Sequence, residues 1–239
     1  MIEAHLAKLR ARDDISAAEE AAIRHAIAEV RTVPDRQIFI HRGEELTQST
    51  LLLDGWMARA RDLRGGHRQI TELHVTGDFV DLHSFTLKHL DHDIITLSPC
   101  RIALIPHENL RRITEQFPHL TRIYWLMTNI DAAIHREWAV SLGRRDAVSK
   151  LAHFLCELLI RLRIAGCAET DSTDFPLTQD EIAECLGLTP VHVNRTLQEI
   201  RRRELIRLEN KRLTILDLPG LMRLAEFDPM YLYLRQERH

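Results

Sequence analysis

Cysteine, proline and glycine are scarce in this sequence, and long apolar runs are absent. No pair of cysteines has the Cys-x-x-Cys spacing of a zinc ribbon, and four cysteines do not suggest a disulfide scaffold. We therefore expect reduced thiols, several of them buried, at Cys100, Cys156, Cys167 and Cys185. The 8 prolines and 9 glycines are dispersed without low-complexity tracts, so disorder is not expected.

The absence of long apolar segments also argues against a membrane or secreted protein. Nowhere do about 18 apolar residues run together, as a membrane span requires. The amino terminus is charged from Glu3 and lacks the apolar segment of a secretory signal, so we predict a cytoplasmic protein. A chain of 239 residues with 45% hydrophobic content can bury the core of one large domain or two ordinary ones.

Charge is distributed unevenly, although the net charge of −3 is small. Residues 171–184 carry five acidic side chains and no Lys or Arg, whereas residues 189–212 carry seven basic side chains against three acidic ones. A local concentration of basic side chains is typical of a surface that faces phosphates. The basic residues are Arg195, Arg201, Arg202, Arg203, Arg207, Lys211 and Arg212.

Periodicity divides the chain into helical and strand-rich parts. Apolar residues between 3 and 30 keep a helical spacing, broken near Asp13 and Asp14. From 36 to 107, short runs rich in Ile, Leu, Val and Thr alternate with glycine-containing turns. We predict helices followed by an antiparallel sandwich or barrel of roughly eight strands.

A long helix is predicted from Glu108, interrupted at Gly143 and followed by a second helix ending at Gly166. Four side chains on the long helix follow spacings of four and three, which fits a helix that pairs with a copy of itself. They are Ile123, Met127, Ile130 and Ile134. The alternative is that this stripe packs only on its own sandwich.

Two short helices follow at a sharp turn. Thr178 and Glu181 form a capping box, Gly187 permits the turn, and Thr189 with Pro190 begins the second helix. Core spacing in that helix assigns Val193, Leu197 and Ile200 to the interior and leaves polar residues on the other faces. This pattern predicts a helix-turn-helix whose second helix enters the major groove of DNA, with a β-hairpin wing over residues 204–217 and its tip at 209–212. The alternative, a helical hairpin that serves only as core, does not explain the polar exposed positions.

In this order, the segments "GDFVDLHSF", "LGRRDAVSKLAHFL", "LTQDEIAECLGLTPVHVNRTLQEIRRRELI" and "RLTILDLPGL" resemble the Crp/Fnr family of bacterial transcription regulators. The resemblance covers nearly the whole chain. It implies an α+β fold: an amino-terminal cyclic-nucleotide-binding-like β jelly roll, a long dimerisation helix and a carboxy-terminal winged helix-turn-helix. It also implies a homodimer on a palindromic operator, with RNA polymerase as a further partner. We set the boundaries at 1–107 for the sensory domain with its helices, 108–142 for the dimerisation helix and 143–239 for the DNA-binding domain.

The recognition helix departs from the family pattern. A common Glu position is Val191 and a common Ser position is Asn194, whereas the Arg is kept as Arg195. We expect Arg195 to contact guanine, Val191 to touch a thymine methyl, and the later arginines to contact phosphates. The predicted DNA-binding residues are Thr178, Thr189, Val191, His192, Asn194, Arg195, Gln198, Arg201 and Arg202.

The sensory half departs further. No arginine lies between Arg68 and Arg101, and the positions where cyclic-nucleotide members of the family carry an Arg-Ser pair fall around Leu90 and Asp91. A carboxylate repels phosphate, so cyclic AMP is not the expected effector. No cysteine precedes Cys100, which argues against an iron-sulfur cluster.

Four histidines fall in the same segment, and they could bind a metal or haem or sense pH. Because no Cys or His-x-His accompanies them, we expect scattered surface and turn residues at His74, His83, His89 and His92. We predict no cofactor and no metal, and the effector is unknown.

The predicted function is therefore a dimeric DNA-binding regulator and not an enzyme. One alternative is an effector-independent regulator whose sandwich is only a scaffold. Another is a cupin-like metal enzyme, which lacks its His-x-His and downstream Glu here. The operator, the target genes and the choice between activation and repression are open at this stage.

Overall fold

The computed structural model describes residues 2–237. Two short helices come first, α1 (Glu3–Arg10) and α2 (Ala17–Ala26). Helix α2 begins with a capping box between Ser16 and Glu19, which explains the predicted break after α1. The helical pattern predicted to continue to residue 30 is wrong at its end, because Glu29–Val33 forms strand β1. Pairing with a distant strand overrides the local helical spacing there.

The sandwich has seven strands where roughly eight were predicted. After β1 come β2 (Ile38–Ile40), β3 (Gln48–Asp54), β4 (Trp56–Asp62), β5 (Arg68–Val75), helix α3 (Ser84–Leu87), β6 (Asp93–Thr96) and β7 (Cys100–Pro106). They form two antiparallel sheets with strand orders β1-β7-β3 and β2-β6-β4-β5. We call this sandwich the roll.

One turn of the roll requires glycine. Gly55 joins β3 to β4 with a φ of 101°, and a Cβ there would lie 2.6 Å from the carbonyl oxygen of Pro99. A side chain is therefore excluded both by backbone conformation and by space.

The predicted helix from Glu108 is two helices, α4 (His107–Gln116) and α5 (Pro118–Arg144). Phe117 is not helical because the residue before a proline is forced toward extended conformations. Helix α5 continues through Gly143, where an interruption was predicted, and ends at Arg144. The next helix, α6 (Ala147–Ile164), starts where the Asp146 carboxylate accepts a hydrogen bond from the Ser149 amide at 2.8 Å.

The remaining elements form the unit that we call the head, residues 172–232. They are β8 (Ser172–Asp174), α7 (Gln179–Leu186), α8 (Pro190–Arg202), β9 (Ile206–Glu209), β10 (Arg212–Ile215), α9 (Leu218–Ala225) and a final 3-10 turn (Pro229–Leu232). Its sheet has the order β8-β10-β9. The β9–β10 hairpin confirms the predicted wing, and β8 is a third strand that the sequence pattern did not reveal.

Roll and head share one apolar core. The rings of Trp56 in β4 and Phe175 in the head meet edge to face, with centroids 6.0 Å apart. Helix α6 lies between the two units and contacts α1, α5, α8 and α9. Among the residues described, none of the helices has the length and apolar character needed to cross a bilayer.

Candidate nucleic-acid interface

Local capping fixes the two helices of the motif as predicted. The Thr178 hydroxyl accepts from the Glu181 amide at 3.2 Å, and the Glu181 carboxylate accepts from the Thr178 amide at 2.7 Å. Gly187 has a φ of 62° and allows the chain to turn. The Thr189 hydroxyl then accepts from the His192 amide, with Pro190 as the first helical residue. Both threonines, predicted to bind DNA, are exposed, and their hydroxyls are engaged in capping.

Helix α8 has one buried and one exposed face. Val193, Leu197 and Ile200 are buried, as core spacing predicted. Arg195 and Gln198 are exposed, and Val191 has an exposed fraction of 80%. His192 and Asn194 are half-buried beside them. A valine this exposed is not held by packing, so it is available for a contact outside the chain.

The arginines of α8 differ in what they already contact. Arg195 has no hydrogen-bond or ion-pair partner within residues 2–237. Arg201 donates to the Leu208 carbonyl oxygen at 2.8 Å and so ties α8 to the wing. Arg202 and Arg203 both pair with the Glu199 carboxylate. The single unpaired guanidinium on this face is thus the one with the base-reading role predicted from sequence.

Gln179, which the sequence-based prediction missed, joins the two helices. It is the first residue of α7, and its side-chain oxygen accepts from Asn194 Nδ2 at 3.2 Å. Asn194 Oδ1 in turn accepts from Gln198 Nε2 at 2.9 Å. The only sequence signal for this contact between the helices is a polar residue directly after the N-cap of α7.

The wing presents a cation at its tip. Asn210 and Lys211 have φ values of 50° and 58°, as a two-residue hairpin turn of type I′ requires. The Lys211 side chain is exposed, whereas Arg212 is paired with Glu169 at 2.8 Å. Lys211 is therefore an exposed cation at the tip of the wing.

The interior of the roll contains a buried ion pair that the sequence did not predict. Arg59 of β4 pairs with Glu72 of β5, and it also donates to the Val80 carbonyl oxygen at 3.1 and 3.2 Å. From α5, Asp131 lies 3.4 Å from Arg59, and His135 Nε2 lies 3.3 Å from Glu72 Oε2. Burial raises the pKa of Glu72 to about 7 even though Arg59 opposes that shift.

The four histidines are not the scattered surface residues that were expected. His74 and His92 are buried, His83 is half-buried, and only His89 is exposed. The rings of His83 and His92 are 5.5 Å apart. Burial lowers the pKa of His83 to about 3 and the pKa of His74 well below its ordinary value, so both are neutral at pH 7. The β5 strand directs His74 inward, which spacing alone did not indicate.

The two residues at the positions expected to face a cyclic phosphate, Leu90 and Asp91, differ in exposure. Leu90 is buried, whereas the Asp91 side chain is exposed and pairs with His92 at 2.8 Å. The carboxylates inside the roll are instead Glu72 and Asp81, and burial raises the pKa of Asp81 to about 7.

The described part of the chain offers no candidate metal site, and most of its cysteines are buried. Within it, no three His, Cys, Asp or Glu side chains are grouped so as to hold a metal ion. Cys100, Cys156 and Cys185 are buried free thiols, and Cys167 is exposed. Burial raises the pKa of Cys100 to about 11, so that thiol is protonated at neutral pH.

The stripe predicted to pair with a second chain lies against its own chain. Ile123, Ile130 and Ile134 have exposed fractions of 0%, 3% and 3%, and Met127 is half-buried. Ile123 packs with α1, and Ile130 and Ile134 join the core that includes α6. This face of α5 is therefore already covered, as the alternative interpretation of the stripe stated.

The roll, the capped helix pair and the exposed basic face of α8 define a winged helix-turn-helix DNA-binding protein with an amino-terminal β-sandwich domain. The model of the Crp-like helix-turn-helix domain matches residues 149–224. The model of the cyclic nucleotide-binding domain matches residues 30–117.

Sequence relatives agree with these matches. A protein named "Probable transcriptional activator" from Rhizobium leguminosarum bv. viciae is 32% identical over 175 residues, covering 72% of this chain and 71% of the relative. The nitrogen fixation regulation protein FixK of Bradyrhizobium diazoefficiens is 30% identical over 176 residues, covering 73% of each chain.

A solved structure has the same fold. FixK2 from Bradyrhizobium japonicum superposes with a TM-score of 0.75 at 20% identity, over 83% of this chain and 97% of that one. The chain described here belongs to the Crp/Fnr family of transcriptional regulators. It is a DNA-binding transcription regulator.

Proposed function

We propose that this regulator acts in the cytoplasm as a homodimer that reads a palindromic operator through α8 of each copy, with RNA polymerase as a second partner. The observation that carries the proposal is Arg195, an exposed and unpaired guanidinium on the recognition helix, within the residues described. A guanidinium matches the O6 and N7 acceptors of guanine in bidentate fashion. Family members commonly have a charged Glu at the position of Val191. The apolar valine suits a contact with a thymine methyl instead.

The proposed dimer seam is the exposed face of α5. Five exposed positions on this helix follow alternating spacings of four and three, the spacing of a helix pair. They are Trp125, Asn129, Ala132, Arg136 and Ala139. Two alanines allow close approach, and Trp125 has an exposed fraction of 69% that a second copy would cover.

Selection from a random DNA library with the purified protein tests this function. A palindromic consensus is expected, and Arg195→Ala should relax preference at one base pair per half-site at a cost of roughly 1–3 kcal/mol. Arg202→Ala is the matched comparison, because that guanidinium lies further along α8. It should weaken operator and scrambled DNA about equally and lower the salt slope. Selection of no consensus would refute the proposal.

For the sensory half we propose an effector other than cyclic AMP or an iron-sulfur cluster. The Arg59 guanidinium already pairs with Glu72, and Asp81 adds a further carboxyl group to the interior. These groups disfavour a cyclic phosphate. Cyclic AMP at millimolar concentration should therefore leave the melting temperature and operator affinity unchanged; a clear thermal shift would contradict this.

A regulator without an effector is the second candidate, and the same filled interior favours it. In that case the roll is a scaffold whose interior is occupied by its own side chains, among them the buried Arg59–Glu72 pair. Candidate signals added to operator-binding titrations separate the two, since only a ligand-responsive protein changes affinity.

A further inference from the structure

Asn194 lies beside the exposed face of α8, and its carboxamide is held between two glutamines. Its nitrogen donates to Gln179 Oε1 at 3.2 Å, and its oxygen accepts from Gln198 Nε2 at 2.9 Å. Gln179 belongs to α7 and Gln198 to α8, so the chain of three amides spans both helices of the motif.

The two glutamines hold the Asn194 carboxamide by one hydrogen bond on each side. If Asn194 alone were reversed, its N–H groups would face the N–H groups of Gln198 and its oxygen would face the oxygen of Gln179, and both contacts would be repulsive. The three amides therefore keep or change their orientation only together. In either orientation the Asn194 side chain is held in place before DNA arrives, which lowers the ordering cost of a contact.

The orientation leaves unused hydrogen-bonding capacity on Asn194. A carboxamide has two N–H donors and an oxygen that accepts two hydrogen bonds. The two glutamines use one donor and one acceptor site, so one of each remains. Adenine presents its N7 acceptor beside its N6 amino donor in the major groove, and it pairs with this combination.

We propose that Asn194 reads an adenine in each operator half-site and that Gln179 and Gln198 are positioning residues that hold its carboxamide for this contact. The inference rests on the proposed function, because α8 must lie in the major groove. It makes Gln179, on the first helix of the motif, a determinant of sequence preference that itself touches no base.

Substitutions at Gln179 separate the loss of its hydrogen bond to Asn194 from a change in the size of its side chain. Gln179→Met keeps the length of the side chain but removes the acceptor, whereas Gln179→Glu keeps an oxygen that accepts from Asn194. The side chain is exposed, so both variants should fold with the melting temperature of the parent. Asn194→Ala removes the reader itself.

Selection from a random library, followed by titration of single-base operator variants, gives the readout. The wild-type consensus should contain an adenine whose preference falls by about 5- to 150-fold in Asn194→Ala. Gln179→Met should lower the same preference by about two- to tenfold, the value of one hydrogen bond, while Gln179→Glu retains it. Preference at the guanine assigned to Arg195 should persist in all three.

The outcomes separate this inference from the proposed function. Absence of any wild-type consensus would refute the function itself. A consensus whose base preferences are all unchanged in Asn194→Ala would overturn only the adenine assignment. Loss of adenine preference in Asn194→Ala with full retention in Gln179→Met would overturn the positioning role of Gln179.

Discussion

Gln69 Nε2 lies 2.6 Å from the carbonyl oxygen of Glu184, and this hydrogen bond joins the β5 strand of the roll to the last turn of α7. The same nitrogen lies 3.3 Å from the Cys185 carbonyl oxygen. Carbonyl groups at a helix C-terminus lack partners inside the helix. A roll side chain therefore satisfies groups of the first helix of the DNA-binding motif.

Gln69→Ala should loosen the last turn of α7. Loss of about 1 kcal/mol, typical of one hydrogen bond, should raise amide hydrogen exchange there roughly fivefold, measured by mass spectrometry. Arg61→Ala is the matched control, because Arg61 donates to the Asp91 carbonyl oxygen within the roll at 2.7 Å. Equal acceleration in both variants would mean that the contact between roll and head does not depend on Gln69.

Local chemistry made the helix-turn-helix predictable from sequence. The capping box at Thr178, the turn at Gly187 and the start at Thr189 each depend on residues within a few positions, so their signals survive without tertiary information. Arg195 could be chosen for the same reason, because its face follows from the spacing of the buried residues of α8.

Long-range pairing explains what the sequence did not reveal. The period of the α5 stripe was correct, but period alone cannot tell whether Ile130 faces a second chain or its own α6. The Arg59–Glu72 pair depends on the register of β4 with β5. The end of the predicted helical pattern, at Glu29 and Val30, belongs to strand β1 because β7 lies beside it.

The two faces of α5 should respond differently to a charge. Ile130 is buried in its own chain, so Ile130→Asp should cost several kcal/mol and unfold the protein rather than give a folded monomer. Ala132→Glu, on the exposed face, should leave the fold intact and dissociate the dimer. Circular dichroism and sedimentation measure the two effects. A folded dimer of Ala132→Glu at wild-type affinity would show that the seam lies elsewhere.

Glu72 should give stability a distinctive pH dependence. Its pKa in the folded protein is about 7, above the ordinary value of 4.5, so the folded state binds more protons than the unfolded state between these values. The contribution of Glu72 is therefore complete below about pH 4.5 and is lost as pH rises through about 7. Glu72→Gln lacks this dependence, so the variant should gain relative to wild type across the window.

Urea denaturation at several pH values measures the effect. The difference in unfolding free energy between Glu72→Gln and wild type should change by at most about 1.4 kcal/mol per pH unit. Glu108→Gln, an exposed carboxylate change on α4, is the control and should show no such trend. A flat difference between pH 5 and 8 for Glu72→Gln would contradict the assignment.

Glu199 should limit how strongly α8 binds DNA without regard to sequence. Its carboxylate pairs with Arg202 and Arg203, whose side chains are 73% and 49% exposed. Glu199→Gln removes the carboxylate that competes with phosphates for both guanidinium groups, and it removes one negative charge per copy from the basic face. Affinity for scrambled duplex should rise, and the slope of log K against log salt should steepen by up to about 0.9 for each added phosphate contact. Glu115→Gln makes the same charge change on an exposed position of α4, away from α8, and should leave the slope unaltered. If both variants steepen the slope equally, net charge rather than the pairing of Glu199 controls non-specific binding.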